Sequence, residues 1–598
     1  MNKTRFGLVR GVAVPLALAA AVAASTCNGE PVGAPPPLQR LLPALGAPQI
    51  VQLGREAAKA LPRRLRTLPR ALGLETRPAV PLGPGQSVSC TVEAAPESLL
   101  EFALGLRPGA AQHGALRLEV LAGRRSLYSA PLNPELEDRW QRMSLPIGQR
   151  GPVTLTFQVA RADPSGHPLP APDAAAEPWV LLGSPRVVTP PASGRILIWI
   201  SQDTVRADHI GAYGYSRATT KHFDALAGDA VLFENGVSPA SWTLPAMTSQ
   251  FTSRYPSFHG AVTEAQSRDR SQPSVFETLS ANGFTVLGLT GNLFVSDDFG
   301  LASGFDALWY SDRPAESLVL LAGRALENWH GEDLALLIHF QDAHHPYAPP
   351  APFDTAFDPA FKGEVVSRDP KQLEHTKALY DGEIAYTDHE IQSLLRGLKA
   401  RGLFRQAVIV YTADHGEEFL DHGGWAHART VYEELLHVPF ALRIPDVPAR
   451  RVPQAVSLLD VAPTVLDALG VPAPASFQGQ SLLPFLRGRP RPWDPVYAET
   501  QRNSERHHLV AVRDGSLKYI LGTRPGLASP PEILSEELYD LATDPGEKRP
   551  LKGSPELERM RRYALSYLAR AAAEGRKSTP SRLTPEIEAR LRALGYIQ

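Results

Sequence analysis

Two carboxylates, one imidazole and one hydroxyl occur at points of the sequence where predicted strands or helices end or begin. Asp203 follows one apolar run, and the pair Asp414 and His415 follows another. Thr243 stands two residues before Pro245, which can occupy the start of a helix, so its hydroxyl is expected near the positive end of the helix dipole. Carboxylate, imidazole and hydroxyl groups together can form a metal site with its own nucleophile. The residue types therefore predict hydrolysis or group transfer at a divalent cation.

These residues require a scaffold that brings distant strand ends together. The runs 196–201 and 407–412 are continuous apolar stretches, typical of strands buried on both faces of a parallel sheet. Similar stretches occur at 284–292 and 334–340, and residues 378–402 carry apolar positions along one helical face. Alternation of this kind predicts a mostly parallel sheet covered by helices. Open α/β sheets place their active sites at the carboxyl ends of the strands, where Asp203 stands.

Four motifs carry a resemblance to the sulfatase-type hydrolases of the alkaline phosphatase superfamily. They are DTVRAD from Asp203, HFQDAHHPYAPP from His339, DHGEE from Asp414, and GGWAHARTVYEELLHVP from Gly423. The resemblance extends from about Arg195 almost to the C-terminus. It implies an α/β fold with a mixed, mostly parallel sheet sandwiched by helices and followed by a small antiparallel subdomain.

The resemblance also implies roles for individual residues. The implied metal ligands are Asp203, Thr243, Asp414 and His415. The residues implied to contact the ester anion are His344, His427 and Arg429, of which His344 could also protonate the leaving oxygen. Asn292 is a weaker substrate-binding candidate, with loop capping as an equal alternative. For Arg429 the structural alternative is a salt bridge.

Thr243 distinguishes this chain from typical sulfatases, in which a Cys or Ser of a C/S-x-P-x-R motif is oxidised to formylglycine. Threonine is a secondary alcohol, so its oxidation would give a ketone instead of the aldehyde, and Met247 stands in place of the arginine. We therefore expect no formylglycine. Threonine at this position resembles superfamily members that act on phosphoesters, including phosphoglycerol transferases. A metal-activated hydroxyl can attack phosphorus in line, which favours phosphoester hydrolysis or phosphoryl transfer over sulfate ester hydrolysis.

The cation itself stays open among calcium, magnesium, manganese and zinc. Gln202 stands where some relatives have a second acid, which lowers the affinity expected for a hard cation. The alternative function is a catalytically degenerate protein that binds a metal and an anionic glycan without turnover. Gln202 and Met247 are the reasons for retaining that alternative.

Length and composition set the domain organisation. The chain has 598 residues, and its 61 basic and 63 acidic side chains nearly cancel, which gives no support to a nucleic-acid partner. We expect a small-molecule, glycan or lipid ester as substrate. Short alternating runs separated by Gly and Pro predict an N-terminal β-sandwich that resembles jelly-roll modules, with a packing or spacer role favoured over sugar binding. The predicted regions are a signal peptide (1–27), a Pro/Ala-rich tether (28–83), the β-sandwich (84–190), the catalytic domain (195–490), and a C-terminal subdomain with its tail (491–598).

The N-terminus predicts export to the periplasm or the extracellular space. Basic residues precede a small-residue apolar run over 12–24, which is shorter than the ~20 residues of an ordinary membrane span. Cleavage after Ala23 is the favoured reading, and a lipid anchor at Cys27 is the alternative. The other cysteine is Cys90, so a Cys27–Cys90 disulfide requires an unmodified Cys27.

Overall fold

The computed structural model describes residues 50–52, 68–72 and 75–593, except for 111–114, 138, 163–167, 170–178, 190–193, 312–313, 328, 361–368, 503–506, 527–529, 576–577, 582 and 584. The predicted signal peptide, Cys27 and most of the predicted tether therefore lie outside the described residues. The described residues all belong to one compact unit. Among them, we find no helix whose length and apolarity would suit it to crossing a bilayer.

The N-terminal region consists of strands in two facing sheets. Its strands are β1 (Ile50–Gln52), β2 (Leu68–Leu72), β3 (Glu75–Leu82), β4 (Ser87–Ala94), β5 (Leu99–Leu106), β6 (Ala115–Ala122), β7 (Arg125–Pro131), β8 (Gln141–Pro146), β9 (Gly151–Ala162), β10 (Pro168–Leu169) and β11 (Val180–Val188). One sheet has the order β10-β9-β6-β7, with β4 also paired to β9. The other contains the adjacent strands β3, β11, β5 and β8.

A shared apolar core joins the two sheets into the predicted sandwich. Buried and exposed residues alternate along β6, as a strand with one solvated face requires. Leu118 and Phe157 from one sheet belong to the same core cluster as Leu104 and Val80 from the other. The tether prediction is wrong for β3, because its apolar residues pair with β11 and enter this core. Cys90 lies on β4 and is half-buried.

The central region alternates strands and helices. Its strands are β12 (Ile196–Gln202), β13 (Val231–Val237), β14 (Gln266–Ser267), β15 (Thr285–Thr290), β16 (Ala307–Tyr310), β17 (Leu334–Phe340), β18 (Ala407–Ala413), β19 (Glu418–Phe419), β20 (Trp425–Ala426), β21 (His437–Arg443) and β22 (Arg450–Ser457). Its helices are α1 (Lys221–Gly228), α2 (Thr243–Thr252), α3 (Pro256–His259), α4 (Val275–Ala281), α5 (Ala315–Glu327), α6 (Leu373–Ala400), α7 (Glu433–Leu436), α8 (Val461–Ala468) and α9 (Leu483–Leu486).

Strand β12 lies at the centre of the mixed sheet that these elements build. The strand order is β22-β13-β21-β18-β12-β17-β15-β16, and β12 is parallel to both β17 and β18. All seven residues of each of these three strands are buried, as the continuous apolar runs predicted. Gln202 pairs with Phe340 on one side and Ala413 on the other, so the three strands end at the same edge. This register brings Asp203 and Asp414 together.

The sandwich and the central sheet are hydrogen-bonded to each other. Strand β16 pairs antiparallel with β3, with Leu308 opposite Thr76 and Trp309 opposite Glu75. One sheet of the sandwich is therefore a continuation of the central sheet. This pairing could not be predicted from the sequence, because the two strands are more than two hundred residues apart.

A buried ion-pair cluster reinforces this junction. Arg186 on β11 lies 2.6 Å from Glu101, 3.5 Å from Glu332 and 3.8 Å from Asp306. His330 Nδ1 lies 3.1 Å from the second carboxylate oxygen of Glu101. Burial alone would raise the pKa of Glu101, but the charges and hydrogen bonds of Arg186 and His330 together outweigh it and lower that pKa to about 2. Arg186 and His330 thus supply positive charge within the cluster itself.

The C-terminal region forms the predicted small antiparallel subdomain. Its elements are β23 (Val496–Thr500), β24 (His508–Asp514), β25 (Leu517–Thr523), β26 (Ile533–Asp540), α10 (Leu557–Glu574), β27 (Thr579–Pro580) and α11 (Pro585–Ala593). The sheet order is β23-β24-β25-β26, and α10 packs on it through Met560 and Leu568. Strand β23 also contacts the central region through a bridge between Ala240 and Glu499.

Candidate metal centre and active site

Thr243 is the first residue of helix α2 and is fully buried. Trp242 before it is extended. Pro245 is the third residue of the helix, two residues after its start. The hydroxyl therefore lies at the positive end of the helix dipole. Met247 packs into the core one turn further on, with its sulfur 3.9 Å from Ser201 Oγ. At this position the site has an apolar side chain.

The two strand-terminal carboxylates are held in different ways and are both completely buried. Asp414 Oδ1 accepts hydrogen bonds from the backbone N–H of Thr204 (3.2 Å) and of His415 (2.8 Å). Asp203 Oδ2 accepts one from Asn292 Nδ2 (2.5 Å). The remaining oxygens, Asp203 Oδ1 and Asp414 Oδ2, have no hydrogen-bond partner of normal geometry among the described residues. Each carboxylate therefore presents one lone-pair-bearing oxygen to the site.

His415 presents a third lone pair to the same place. Its Nδ1 lies 2.9 Å from the carbonyl oxygen of Gly416, so Nδ1 carries the proton and Nε2 carries the lone pair. Nε2 is 3.5 Å from Asp203 Oδ1 and 3.4 Å from Asp414 Oδ2. Thr243 Oγ lies 3.3 Å from the same nitrogen. Ligand atoms of the two carboxylates and the imidazole all lie within 4.8 Å of one another.

Electrostatics make this cluster fit a cation. Burial raises the pKa of Asp414 to about 7. Burial, together with the charge of Asp414, raises the pKa of Asp203 well above its usual range. Buried acids that lack a counter-charge are costly, and a bound divalent cation would remove that cost. Asp203, Asp414, His415 and the Thr243 hydroxyl are the groups that would hold it, as a hard-to-borderline set of oxygen and imidazole donors.

Asn292 links the metal ligands to the hydroxyl. Its Oδ1 accepts the backbone N–H of Phe294 (2.9 Å), which identifies Nδ2 as the group that faces the site. Nδ2 donates to Asp203 and lies 3.3 Å from Thr243 Oγ. Gln202 is directed elsewhere, because its amide donates to the hydroxyl of Tyr411. Gln202 therefore takes no part in the cluster.

Two further histidines line the site beside His415. The His427 ring lies 4.6 Å from the ring of His415 and 5.0 Å from that of His344, measured between centroids. His344 Nδ1 donates to the carbonyl oxygen of His345 (2.6 Å). Burial, followed by the charge of His427, lowers the pKa of His344 to about 3. Burial is also the main reason why the pKa of His427 is lowered well below its usual range.

Arg429 lies at the rim of this site. Its side chain is exposed, and its charge contributes only a small part of the lowered pKa of His427. The structure therefore brings Asp203, Thr243, Asp414, His415, Asn292, His344 and His427 together in the interior and leaves Arg429 at the surface.

The sequence reasoning missed three residues that contact or influence this site. Glu417 is fully buried, 2.9 Å from His427 Nδ1, and accepts a hydrogen bond from Tyr347. His339 Nε2 lies 3.8 Å from Asp203 Oδ2. Arg502 reaches the site from the C-terminal subdomain, and its charge contributes to the lowered pKa of His415. The DHGEE motif could have indicated Glu417, whereas nothing near Arg502 in the sequence marks it.

A cavity of about 740 Å³ lies beside the histidines. His344 and His345 form part of its wall, together with carboxyl groups of Asp342 and Glu383. Burial, followed by the charge of Asp342, raises the pKa of Glu383 to about 8. The cavity offers room and hydrogen-bonding groups next to His344.

Comparisons with known proteins show similarity to sulfatases. The family model described as Sulfatase matches residues 195–471, and the model described as N-sulphoglucosamine sulphohydrolase, C-terminal, matches residues 421–572. Arylsulfatase K of Rattus norvegicus is 30% identical over 187 residues, which are 29% of this chain and 32% of that protein. N-acetylglucosamine-6-O-sulfatase of Bacteroides thetaiotaomicron is 29% identical over 212 residues, 34% of this chain and 36% of that protein. The chain thus covers about a third of these curated relatives.

Solved structures show the same fold. A phosphonate monoester hydrolase from Silicibacter pomeroyi has a TM-score of 0.53 and 21% identity, over 63% of this chain and 96% of that one. The phosphonate monoester hydrolase of Agrobacterium radiobacter has a TM-score of 0.52 and 20% identity, over 64% of this chain and 96% of that one.

Proposed function

Because this chain belongs, through residues 195–471, to the sulfatase family of the alkaline phosphatase superfamily, we propose that it is a metal-dependent ester hydrolase with Thr243 as its nucleophile. We further propose that it prefers phosphoesters to sulfate esters. One observation carries the proposal. Thr243 Oγ lies 3.3 Å from His415 Nε2, beside two buried carboxylate oxygens that need a cation.

The bound cation, for which calcium, magnesium, manganese and zinc are the candidates, would lower the pKa of the Thr243 hydroxyl and withdraw charge from the ester oxygens. Asp203, Asp414 and His415 would hold it. Asn292 orients both Asp203 and Thr243 through its amide N–H groups. Glu417 orients His427 through Nδ1, so that Nε2 is the nitrogen available to the ester.

The reaction proceeds in two displacements at phosphorus. In the first, the Thr243 hydroxyl loses its proton to solvent, Thr243 Oγ forms a bond to phosphorus, the bond to the alcohol oxygen breaks, and His344 Nε2 relays a proton from solvent to the departing oxygen. In the second, water attacks phosphorus, one of its protons passes through His344 Nε2 to solvent, and the bond to Thr243 Oγ breaks, so that Thr243 Oγ leaves without a proton, as it attacked. If an acceptor alcohol takes the place of water, the same chemistry is a transfer reaction. A sulfated threonine lacks the internal exit of formylglycine, which is why we favour phosphorus.

The alcohol part of the ester would occupy the cavity beside His344 and His345. Carbonyl, carboxyl and imidazole groups there can hydrogen-bond to the hydroxyls of a small molecule, a glycan or a lipid headgroup. We propose that the protein acts outside the cytoplasm, on account of the apolar run over 12–24, with Cys27 as an alternative lipid anchor. The near-balanced charge argues against a nucleic-acid substrate.

The test compares nitrophenyl esters of sulfate, phosphate, methyl phosphate and methylphosphonate. The full chain is loaded with each candidate cation in turn. Removal of an enzyme's nucleophile costs about 10⁴- to 10⁶-fold in kcat, so Thr243→Ala should abolish turnover of the phosphorus esters. Thr243→Ser is the matched control, because it retains a hydroxyl at the same place and should remain active.

Two outcomes would contradict the proposal. Turnover that survives Thr243→Ala would identify a metal-bound water as the nucleophile. Silence on every ester, with the cation still bound, would instead favour a protein that binds a metal and an anionic glycan without turnover.

A further inference from the structure

The end of strand β23 is hydrogen-bonded to two of the segments that carry site residues, those of Thr243 and His427. The backbone N–H of Glu499 donates to the carbonyl oxygen of Pro239 (3.0 Å), four residues before Thr243. Thr500 Oγ1 donates to the carbonyl oxygen of Ala428 (2.7 Å), next to His427. The C-terminal subdomain is therefore hydrogen-bonded to the segments next to Thr243 and His427.

Arg502 follows this strand and is held on the residue before Thr243. Its guanidinium carbon lies 4.7 Å from the ring centroid of Trp242, which is fully buried. Stacking on an indole orients the plane of a guanidinium group and restricts its side chain. Arg502 is half-buried and its Nε atom is buried. Arg502 is thus a cation held in place against Trp242, the residue directly before the proposed nucleophile Thr243.

Two contacts place Arg502 at the site. Its guanidinium stacks on Trp242, the residue before Thr243, and Thr500, two residues before Arg502, is hydrogen-bonded to Ala428 next to His427. Arg429 is exposed instead, so solvent screens its charge. Arg502 is therefore the better placed cation for an oxyanion at Thr243.

We propose that Arg502 binds the oxygens of the ester anion beside Thr243, the task that the sequence suggested for Arg429. This rests on the proposed function and adds a substrate-binding residue from the C-terminal subdomain. The fork of N–H groups on a guanidinium matches two oxygens of a sulfate or phosphate group, which a point charge does not. Trp242 is the positioning residue that holds the fork in place.

Inorganic phosphate and inorganic sulfate are the probes, because they share the oxyanion chemistry and differ in charge. Their dissociation constants are measured by calorimetry on the cation-loaded full chain, alongside kcat and KM for the best ester. Arg502→Met keeps the length and the contact with Trp242 but removes the charge. It should weaken binding of at least one anion by about 10- to 100-fold, as expected for a lost charged hydrogen bond. The cation should still bind.

Two variants complete the design. Arg502→Lys should recover part of the affinity, since it restores charge without the fork. Arg450→Met is the matched control: Arg450 also stacks on an aromatic ring, Phe485, at 4.9 Å, but lies in another part of the surface. Its anion affinities should equal those of the wild type.

The proposal is overturned if Arg502→Met binds both anions as tightly as the wild type does, or if Arg429→Met shows the loss instead. Weaker binding of phosphate alone would identify a phosphoryl group as the ligand, and weaker binding of sulfate alone a sulfate group. Anion binding is measured without turnover, so the role of Arg502 can be tested even in a protein that hydrolyses no ester. A protein that binds the cation and the anions but hydrolyses nothing would contradict the proposed function alone.

Discussion

Two clusters in this molecule each contain two acids and a histidine, yet they differ in what neutralises them. At the sheet junction, Glu101, Glu332 and His330 surround Arg186. At the strand ends, the cluster consists of Asp203, Asp414 and His415. Among the described residues, no lysine or arginine forms a hydrogen bond with Asp203 Oδ1 or Asp414 Oδ2. The first cluster lowers the pKa of Glu101, and the second raises the pKa of both aspartates.

The comparison shows that residue type alone does not identify a metal site. Ligand atoms in both clusters approach one another closely enough to bind a cation. Arg186 already supplies positive charge at the junction, which weakens the electrostatic reason for a metal there. At the strand ends, the unbalanced charge is the reason to expect a cation.

The largest expected effect comes from removing the arginine at the junction. Arg186→Met would leave Glu101 with only His330 and would remove the basic partner of the buried Glu332, and loss of one partner of a buried ion pair costs about 3–5 kcal/mol. We expect the free energy of unfolding to fall by that amount in urea titrations. The control is Arg139→Met, because Arg139 forms an exposed pair with Glu135 and should contribute less than about 1 kcal/mol. Equal stabilities of the two variants would contradict the comparison.

A smaller effect is expected from adding a cation to the metal-free protein. At about 100 times its dissociation constant, a ligand raises the free energy of unfolding by about 2.7 kcal/mol. Thermal unfolding with and without calcium, magnesium, manganese or zinc measures this gain. Asp414→Asn should abolish it, whereas Glu332→Gln at the junction should retain it. A gain lost in Glu332→Gln and kept in Asp414→Asn would place the metal site at the junction.

The smallest effect is a difference in pH dependence, measured on the metal-free protein in a chelator. Glu101 has its pKa lowered from 4.5 to about 2, so its stabilisation is present above pH 4.5 and is lost as the pH falls towards 2. Burial raises the pKa of the neighbouring Glu332, which opposes this loss, so the net change in stability is smaller than Glu101 alone would give. Asp414 has its pKa raised from 3.8 to about 7, so its contribution is present below pH 3.8 and is lost as the pH rises towards 7.

Unfolding curves from pH 2 to 8 for Glu101→Gln and Asp414→Asn separate the two slopes. Glu101→Gln should reduce the loss of stability at acid pH. Asp414→Asn should reduce the loss of stability between acid and neutral pH. Identical profiles for both variants and the wild type would mean that neither cluster governs the pH dependence.

The sequence predicted the parts of the site that depend on local pattern. Apolar runs that end in acids identify β12 and β18, and their parallel pairing then places Asp203 beside Asp414. Arg502 and the pairing of β16 with β3 could not be predicted in this way. Both depend on contacts between segments far apart in the chain, for which neither periodicity nor spacing carries information. Arg429 illustrates the reverse case, because its position in a motif does not reveal that its side chain is exposed.

The pairing of β16 with β3 has a consequence for how this protein can be divided. A fragment that begins at Arg195 would lack β3 and would leave the backbone N–H and C=O groups along one side of β16 open to any extended peptide. Such an open edge favours intermolecular strand addition, so a shortened catalytic fragment should self-associate. The N-terminal sandwich therefore covers an edge of the catalytic sheet that would otherwise be open. We expect the catalytic region to be expressed in soluble form only together with the sandwich.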